Sequence, residues 1–241
     1  MKLNPLFGAW PYVALGLLIV GILLRYFLVR QLSAESMEMT TARKIFRGNV
    51  VWRASVILLV SWHFVMLASP TAVLNWNSRP VRLYALESVL FITAAVSLGA
   101  LVVLLRSHLQ TNNKSLLPDL CDAAFLTVLF VGLASGLAMA IFDRWASSWG
   151  ALILSPYLSS FLHGRPSSDL VLQMPWLVRL HVFSAFATMA LFPLSRLSIF
   201  VVAVLRRCVS WTGYCIALPG RALQPWLRKH NPAAWLWPEE D

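Results

Sequence analysis

Five stretches of this chain stay apolar for about the twenty residues that an α-helix needs to cross a hydrocarbon core. They lie at about Trp10–Leu28, Val50–Leu67, Leu83–Leu105, Leu120–Phe142 and Trp176–Leu205. Inside a bilayer every backbone N–H and C=O must find its partner within the protein, which leaves such segments only the helix. The pattern predicts an all-α integral membrane protein: a five-transmembrane-helix bundle over residues 1–206, then a Trp- and Pro-rich tail over 207–241. Composition agrees, with 59% apolar and 12% charged residues and a mean hydropathy of +0.69. The fifth stretch is long enough to project from the membrane or to tilt strongly. The N-terminal stretch has one lysine and no small-residue cleavage site before Arg25, so it is expected to remain as a helix rather than be removed as a signal peptide.

The net charge of +10 is not a nucleic-acid signature, because the basic residues flank the apolar stretches instead of forming a stripe. One set of loops carries Arg30, Arg43, Lys44, Arg47, Arg106, Lys114, Arg206, Arg207, Arg221, Arg228 and Lys229. The other carries only Lys2, Arg79, Arg82, Arg144 and Arg165. The larger set belongs in the cytoplasm, which puts the N-terminus outside and the C-terminus inside. Trp10, Trp76, Trp145, Trp149, Trp176 and Trp211 sit near the span ends, as an interfacial aromatic belt would. Cys121, Cys208 and Cys215 form no CxxC and no zinc spacing.

Two histidines lie well inside spans. His63 is seven residues before Pro70 on the second, and His181 six residues after Pro175 on the fifth. At 1.5 Å per residue these are depths of about 10 Å and about 9 Å from the same, outer face. An ionisable group at that depth faces the bundle interior and has a partner, and neither has an acid in its own segment. One reading is a hydrogen bond from each to a backbone carbonyl or a serine. The other is that the two neutral imidazoles are the axial ligands of a b-type haem.

The string Arg179-Leu180-His181 followed by Leu191-Phe192-Pro193-Leu194-Ser195-Arg196-Leu197 resembles the last helix of the gamma, cytochrome b, subunit of respiratory nitrate reductase. Pro11-Tyr12 and Arg25-Tyr26 in the first span also match. So do Trp62-His63-Phe64 with Met66-Leu67 and Pro70, and Phe161-Leu162-His163-Gly164 before the fifth span. The wider family includes membrane cytochromes of heterodisulfide reductases, Dsr-type sulfur complexes and some hydrogenases. The resemblance covers nearly all of the five spans and stops at about Arg207. It implies a multi-pass protein of a prokaryotic inner (cytoplasmic) membrane, with two stacked haems on four histidines, two on the second helix and two on the fifth. By that correspondence His63 and His181 ligate the haem nearer the outer face. The inner pair would fall at Arg53 and Ile199, neither an ordinary iron ligand. Ile199 is eighteen residues after His181, five helical turns on, and is expected on the same face. One haem b is therefore expected instead of two.

Other polar residues carry two readings each. Arg179 is a candidate partner for a haem propionate. Arg196 would serve the absent inner haem or snorkel to the cytoplasmic interface. Arg53 either snorkels or fills the inner cavity and pairs with Asp119 or Asp122. Quinone-site candidates are Arg82, Glu87 and His163: Glu87 as an acid near the outer haem that accepts a quinol proton, Arg82 as a basic contact, His163 as a residue at the pocket mouth. Alternatively Glu87 and Arg82 form an interfacial salt bridge, and His163 is a surface residue. His108 and His230 receive no role. The apolar run Trp149–Leu162, interrupted by Pro156, is too short to span and is expected to lie in the interface, roofing a quinone pocket. Gly99, and Gly132 with Gly136, are read as allowing close helix approach.

The function these readings support is a membrane-anchor electron-transfer subunit of a respiratory complex, exchanging electrons between quinone or quinol and a partner redox subunit, iron–sulfur or cytochrome. The main chemistry then sits in the partners. With the inner haem absent, electrons pass to a partner on the outer side, or a partner supplies the missing relay on the cytoplasmic side, where the basic tail points. The second is slightly favoured. A haemless anchor or assembly subunit of the same descent is the alternative. A transporter is disfavoured because no repeat is visible.

Overall fold

The computed structural model describes residues 4–29, 50–110, 116–212 and 214. The basic loop over 30–49, Lys2, Lys114 and nearly all of the 207–241 tail, including His230, lie outside the described residues, as do the side chains of His108 and Asp119. Helix α1 covers Trp10–Val29, α2 Val50–Ala68, α3 Pro70–Asn77, α4 Pro80–Gln110 and α5 Leu116–Phe142. Helix α6 covers Ala146–Trp149, α7 Ser155–Leu162, α8 Asp169–Leu172 and α9 Trp176–Leu191. Among the described residues five helices are long and apolar enough to cross a membrane: Pro5–Phe27, Val50–Ala68, Pro80–Arg106, Leu120–Phe142 and Trp176–Leu194. The protein is all-α, and its architecture is that of a multi-pass membrane bundle.

Local chemistry fixes the ends. The first span begins earlier than hydropathy suggests because Asn4 caps a π-helical turn at Pro5–Ala9, its Oδ1 accepting from Leu6 and Phe7 N–H at 3.0 and 3.3 Å. Helix α2 stops at Ala68 because the residue before Pro70 is pushed out of the helical region. Gly164, at φ +72°, follows the last turn of α7, where a side chain would be strained.

The chain divides into two compact units, Met1–Ile199 and Phe200–Asp241. In the first, close packing runs in the order α2–α4–α5–α9–α1. Between α5 and α9, α6, a π-helical turn at Gly150–Leu154, α7 and α8 cover one end of the bundle. This cover is pinned from three spans. Tyr12 Oη donates to the Phe161 carbonyl at 2.8 Å and Tyr157 Oη to the Phe7 carbonyl at 2.7 Å. Ser155 Oγ donates to the Leu67 carbonyl at 3.3 Å, and Ser147 bonds Glu87. Gly150 lies against the Met66 side chain so closely that a Cβ there would overlap its sulfur. In the second unit residues 200–212 are helical, and Thr212 Oγ1 donates to the Cys208 and Val209 carbonyls at 3.1 and 2.9 Å.

The fifth span is not the continuous helix that its hydropathy suggests. Helix α9 ends at Leu191, Phe192–Leu194 form a 3-10 turn, Ser195 is extended, and helical backbone resumes at 198. Pro193 is the cause: it has no N–H for the ladder and its ring excludes the carbonyl a turn before. The Pro193 and Ser195 carbonyls at the break each accept from Arg25 Nη1 on α1, both at 2.9 Å, and from Ser198 Oγ, at 3.2 and 2.8 Å. Gly21 makes room, since a Cβ there would come within 2.5 Å of Pro193 Cβ. The break overturns the expected alignment of Ile199 with His181, because five continuous turns do not separate them.

Candidate functional site

His63 lies five residues before the end of α2, and His181 five residues after the start of α9. The structure brings them together. Their ring centroids are 6.0 Å apart, with an interplanar angle of 29°. Each ring is oriented by its Nδ1. That of His63 is 2.7 Å from the Leu59 carbonyl one turn earlier on α2, and that of His181 is 2.9 Å from the Gly132 carbonyl on α5. A carbonyl oxygen can only accept, so both Nδ1 atoms carry the proton, and in the neutral imidazole Nε2 then holds the lone pair. A main-chain carbonyl holding Nδ1–H is the usual support of a metal-ligating histidine. Among the described residues no group of three or more His, Cys, Asp or Glu could hold a bare metal ion. The pair offers two ligands, the number a haem iron takes axially.

The seat of His181 uses residues that the sequence reading gave only a packing role. A Cβ on Gly136 would lie 2.9 Å from His181 Cε1 and 3.2 Å from Nδ1, so the imidazole rests on the bare backbone of α5. Ser135 Oγ donates to the Gly132 carbonyl at 2.9 Å and is 3.4 Å from His181 Nδ1. The Gly-x-x-x-Gly spacing was the available signal, but only the register of α5 against α9 turns it into a ring seat. Gly99 does not share this property: a Cβ there would meet nothing within 4 Å, so its expected role in close approach is not supported.

Arg179 is two residues before His181, about 200° round α9, on the side of Phe183, whose ring stacks on Trp10 at 5.8 Å. Its Nε is buried without a hydrogen-bond partner. Arg82 and Glu87 do not form the interfacial salt bridge that was the alternative to a role in a quinone site. Five residues apart on a helix, they point in directions about 140° apart. The Arg82 guanidinium instead lies over Trp76, 5.1 Å from the ring centroid. Glu87 Oε1 accepts from Ser147 N–H at 2.9 Å and from Ser147 Oγ at 2.6 Å. Asn77 Nδ2 in turn donates to Ser147 Oγ and Ser148 Oγ, each at 2.9 Å. Ser147 is the second residue of α6, close after Arg144 and Trp145, two non-glycine residues at φ 36° and 59°, so the carboxylate fastens a strained turn of the cover. His163 is exposed at the end of α7, with Nδ1 2.7 Å from the Ser159 carbonyl. It makes no contact with the histidine pair.

At the opposite end of the bundle Arg196 is neither a snorkelling residue nor Asp122 a partner for Arg53. The Arg196 backbone N–H donates to Asp122 Oδ1 at 2.8 Å and its Nε lies 3.5 Å from Oδ2, both side chains being buried. Arg53 is exposed. Ile199 is fully buried nearby in sequence.

The family model of the nitrate reductase gamma subunit matches residues 4–210. The chain belongs to that family. No curated protein matches it.

Proposed function

From membership of the nitrate reductase gamma subunit family, which makes this chain the membrane electron-transfer subunit of an oxidoreductase complex, we propose that it carries a single b-type haem between His63 and His181. The haem exchanges electrons between quinone or quinol and a partner redox subunit. The observation that carries the reading is the pair itself: two imidazoles in register on different spans, each with Nδ1–H spent on a main-chain carbonyl and Nε2 left to ligate. The spacing fits. An imidazole–metal bond is about 2 Å and a ring centroid lies about 1 Å behind its nitrogen, so two rings on one iron have centroids about 6 Å apart. The observed value is 6.0 Å. The haem supplies reversible one-electron storage inside the bilayer. Arg179, whose buried Nε has no partner, is the propionate candidate, reached from the α1 side of α9 and not from the face that carries His181.

The single-haem reading rests on Arg53 and Ile199 at the family's inner ligand positions, together with a buried Asp122–Arg196 pair near that end. Glu87, held by the Ser147 N–H and hydroxyl, is the proposed acceptor of a quinol proton, with Arg82 and His163 as outlying contacts of the quinone site. The distribution of Lys and Arg supports placing the histidine end outside and the C-terminus in the cytoplasm. That sidedness favours partner subunits, iron–sulfur or cytochrome, docking on the cytoplasmic face of a prokaryotic inner membrane.

Spectroscopy on the purified complex tests the reading. A reduced-minus-oxidised b-type spectrum is expected, with one haem per chain by pyridine haemochrome, and it should vanish in both His63→Ala and His181→Ala. A colourless wild-type complex would leave the haemless-anchor alternative standing. A ratio near two haems would sink the single-haem claim.

A further inference from the structure

We propose that Ser135 is a positioning residue that raises the reduction potential of the haem held by His181, acting through the Gly132 carbonyl, and that Gly136 fixes the plane of the His181 ring. The inference rests on the haem reading above and extends it to residues on α5 that ligate nothing.

The two histidines are held differently. His63 donates to its own helix, to the Leu59 carbonyl a turn away, so its ring moves with α2. His181 donates across to α5, and the carbonyl it uses is already shared. Gly132 O, which also faces the Gly136 N–H of its own helix ladder, accepts from His181 Nδ1 at 2.9 Å and from Ser135 Oγ at 2.9 Å, so the donors compete for its electron density. Ser135 Oγ itself is 3.4 Å from Nδ1, beyond a good N–H···O distance, so its influence passes through the carbonyl.

The direction of that influence follows from ligand basicity. The more strongly Nδ1–H is drawn to its acceptor, the more imidazolate character reaches the iron and the more the ferric form is favoured. A carbonyl that also accepts a hydroxyl proton has less electron density for the imidazole. Ser135 therefore weakens the pull on His181 and favours the ferrous form. Removing the hydroxyl should lower the potential. Gly136 acts by shape: the ring face lies on it, and a methyl group would meet Cε1 at 2.9 Å, forcing the imidazole to rotate or retreat.

The test uses Ser135→Ala, Ser135→Thr and Gly136→Ala in the assembled complex. Haem content, the potential from a redox titration, and the electron paramagnetic resonance spectrum of the oxidised form, which reports the angle between the two ligand planes, are all read. Ser135→Ala should keep its haem and titrate at a lower potential, and Ser135→Thr should restore the wild-type value. Gly136→Ala should change the resonance position or lose haem. A Ser135→Ala complex with full haem and an unchanged or raised potential would overturn the Ser135 role. A Gly136→Ala complex with full haem and a wild-type resonance would overturn the seat. Neither result would touch the haem assignment, which fails separately if the wild-type complex holds none.

Discussion

Asp122→Ala takes a carboxylate away from a buried guanidinium and from a backbone amide at once. Asp122 accepts the Arg196 N–H at 2.8 Å and lies 3.5 Å from its Nε, with the Arg196 and Asp122 side chains only 7% and 3% exposed. Breaking a buried ion pair from one side costs about 3–5 kcal/mol, because the remaining charge stays desolvated. Arg196→Met removes the guanidinium but leaves the carboxylate its N–H donor. Asp122→Ala removes that acceptor as well, so it should be the more damaging by about 1 kcal/mol or more. The double variant strands neither charge, and the coupling between the sites should reach about 2–3 kcal/mol. Unfolding in mixed micelles by titration with sodium dodecyl sulfate, followed by tryptophan fluorescence, gives the three values. The reasoning fails if Arg196→Met proves costlier than Asp122→Ala, or if the two effects add.

Glu87→Gln keeps an acceptor oxygen for Ser147 but loses the charge that strengthens both bonds. It should destabilise by about 1 kcal/mol, and quinol oxidation should slow by about 10²-fold at unchanged haem content; unaltered turnover removes Glu87 from proton transfer. The Tyr157 phenol is pushed up to about 12 from 10.0, first by burial and then by Tyr12 beside it. Because the folded value lies above the unfolded one, the stability it contributes is whole below about pH 10 and is lost as pH rises through about 12. Phenolate absorbance should therefore show a late phase from Tyr157 above about pH 11, and a late phase that persists in Tyr157→Phe would contradict this. Gly21→Val forces side-chain atoms into Pro193 and should cost about 1–3 kcal/mol by the same unfolding assay; a neutral result means the helix break can shift without penalty.

Fold class and the pairing of His63 with His181 were legible because both are set by one-dimensional quantities. Span length decides helix and membrane, and residue count from the span ends puts two side chains at one depth. What was not legible depends on how neighbouring helices are turned. Glu87 and Arg82 look like an ion pair in sequence, yet helical rotation separates them and a third segment supplies Ser147. Asp122 was weighed against Arg53 when its partner was Arg196, because the reading carried the fifth span straight through Pro193. That proline was the available signal for the break. Arg25 belongs to a sequence motif of the first span, and a cation so near the apolar stretch asks for acceptors. The Pro193 and Ser195 carbonyls at the helix break are those acceptors.

The proposed haem lies toward one end of the bundle, and Arg196 lies fifteen residues beyond His181, past the break at Pro193, toward the other. On that placement electrons reach the far side only through a cofactor of a partner, since Ile199 and the Asp122–Arg196 pair offer no redox group. Sidedness then becomes measurable. In right-side-out vesicles holding the complex, a membrane-impermeant reductant added outside should reduce the proposed haem promptly, because the orientation proposed from Lys and Arg turns the histidine end to that solution. In inverted vesicles the same reductant should act slowly when the partner subunits have been stripped, and quickly when they are present and relay electrons. Prompt reduction of stripped inverted vesicles would reverse the orientation drawn from Lys and Arg. Slow reduction from both sides would bury the haem deeper than residue counts allow.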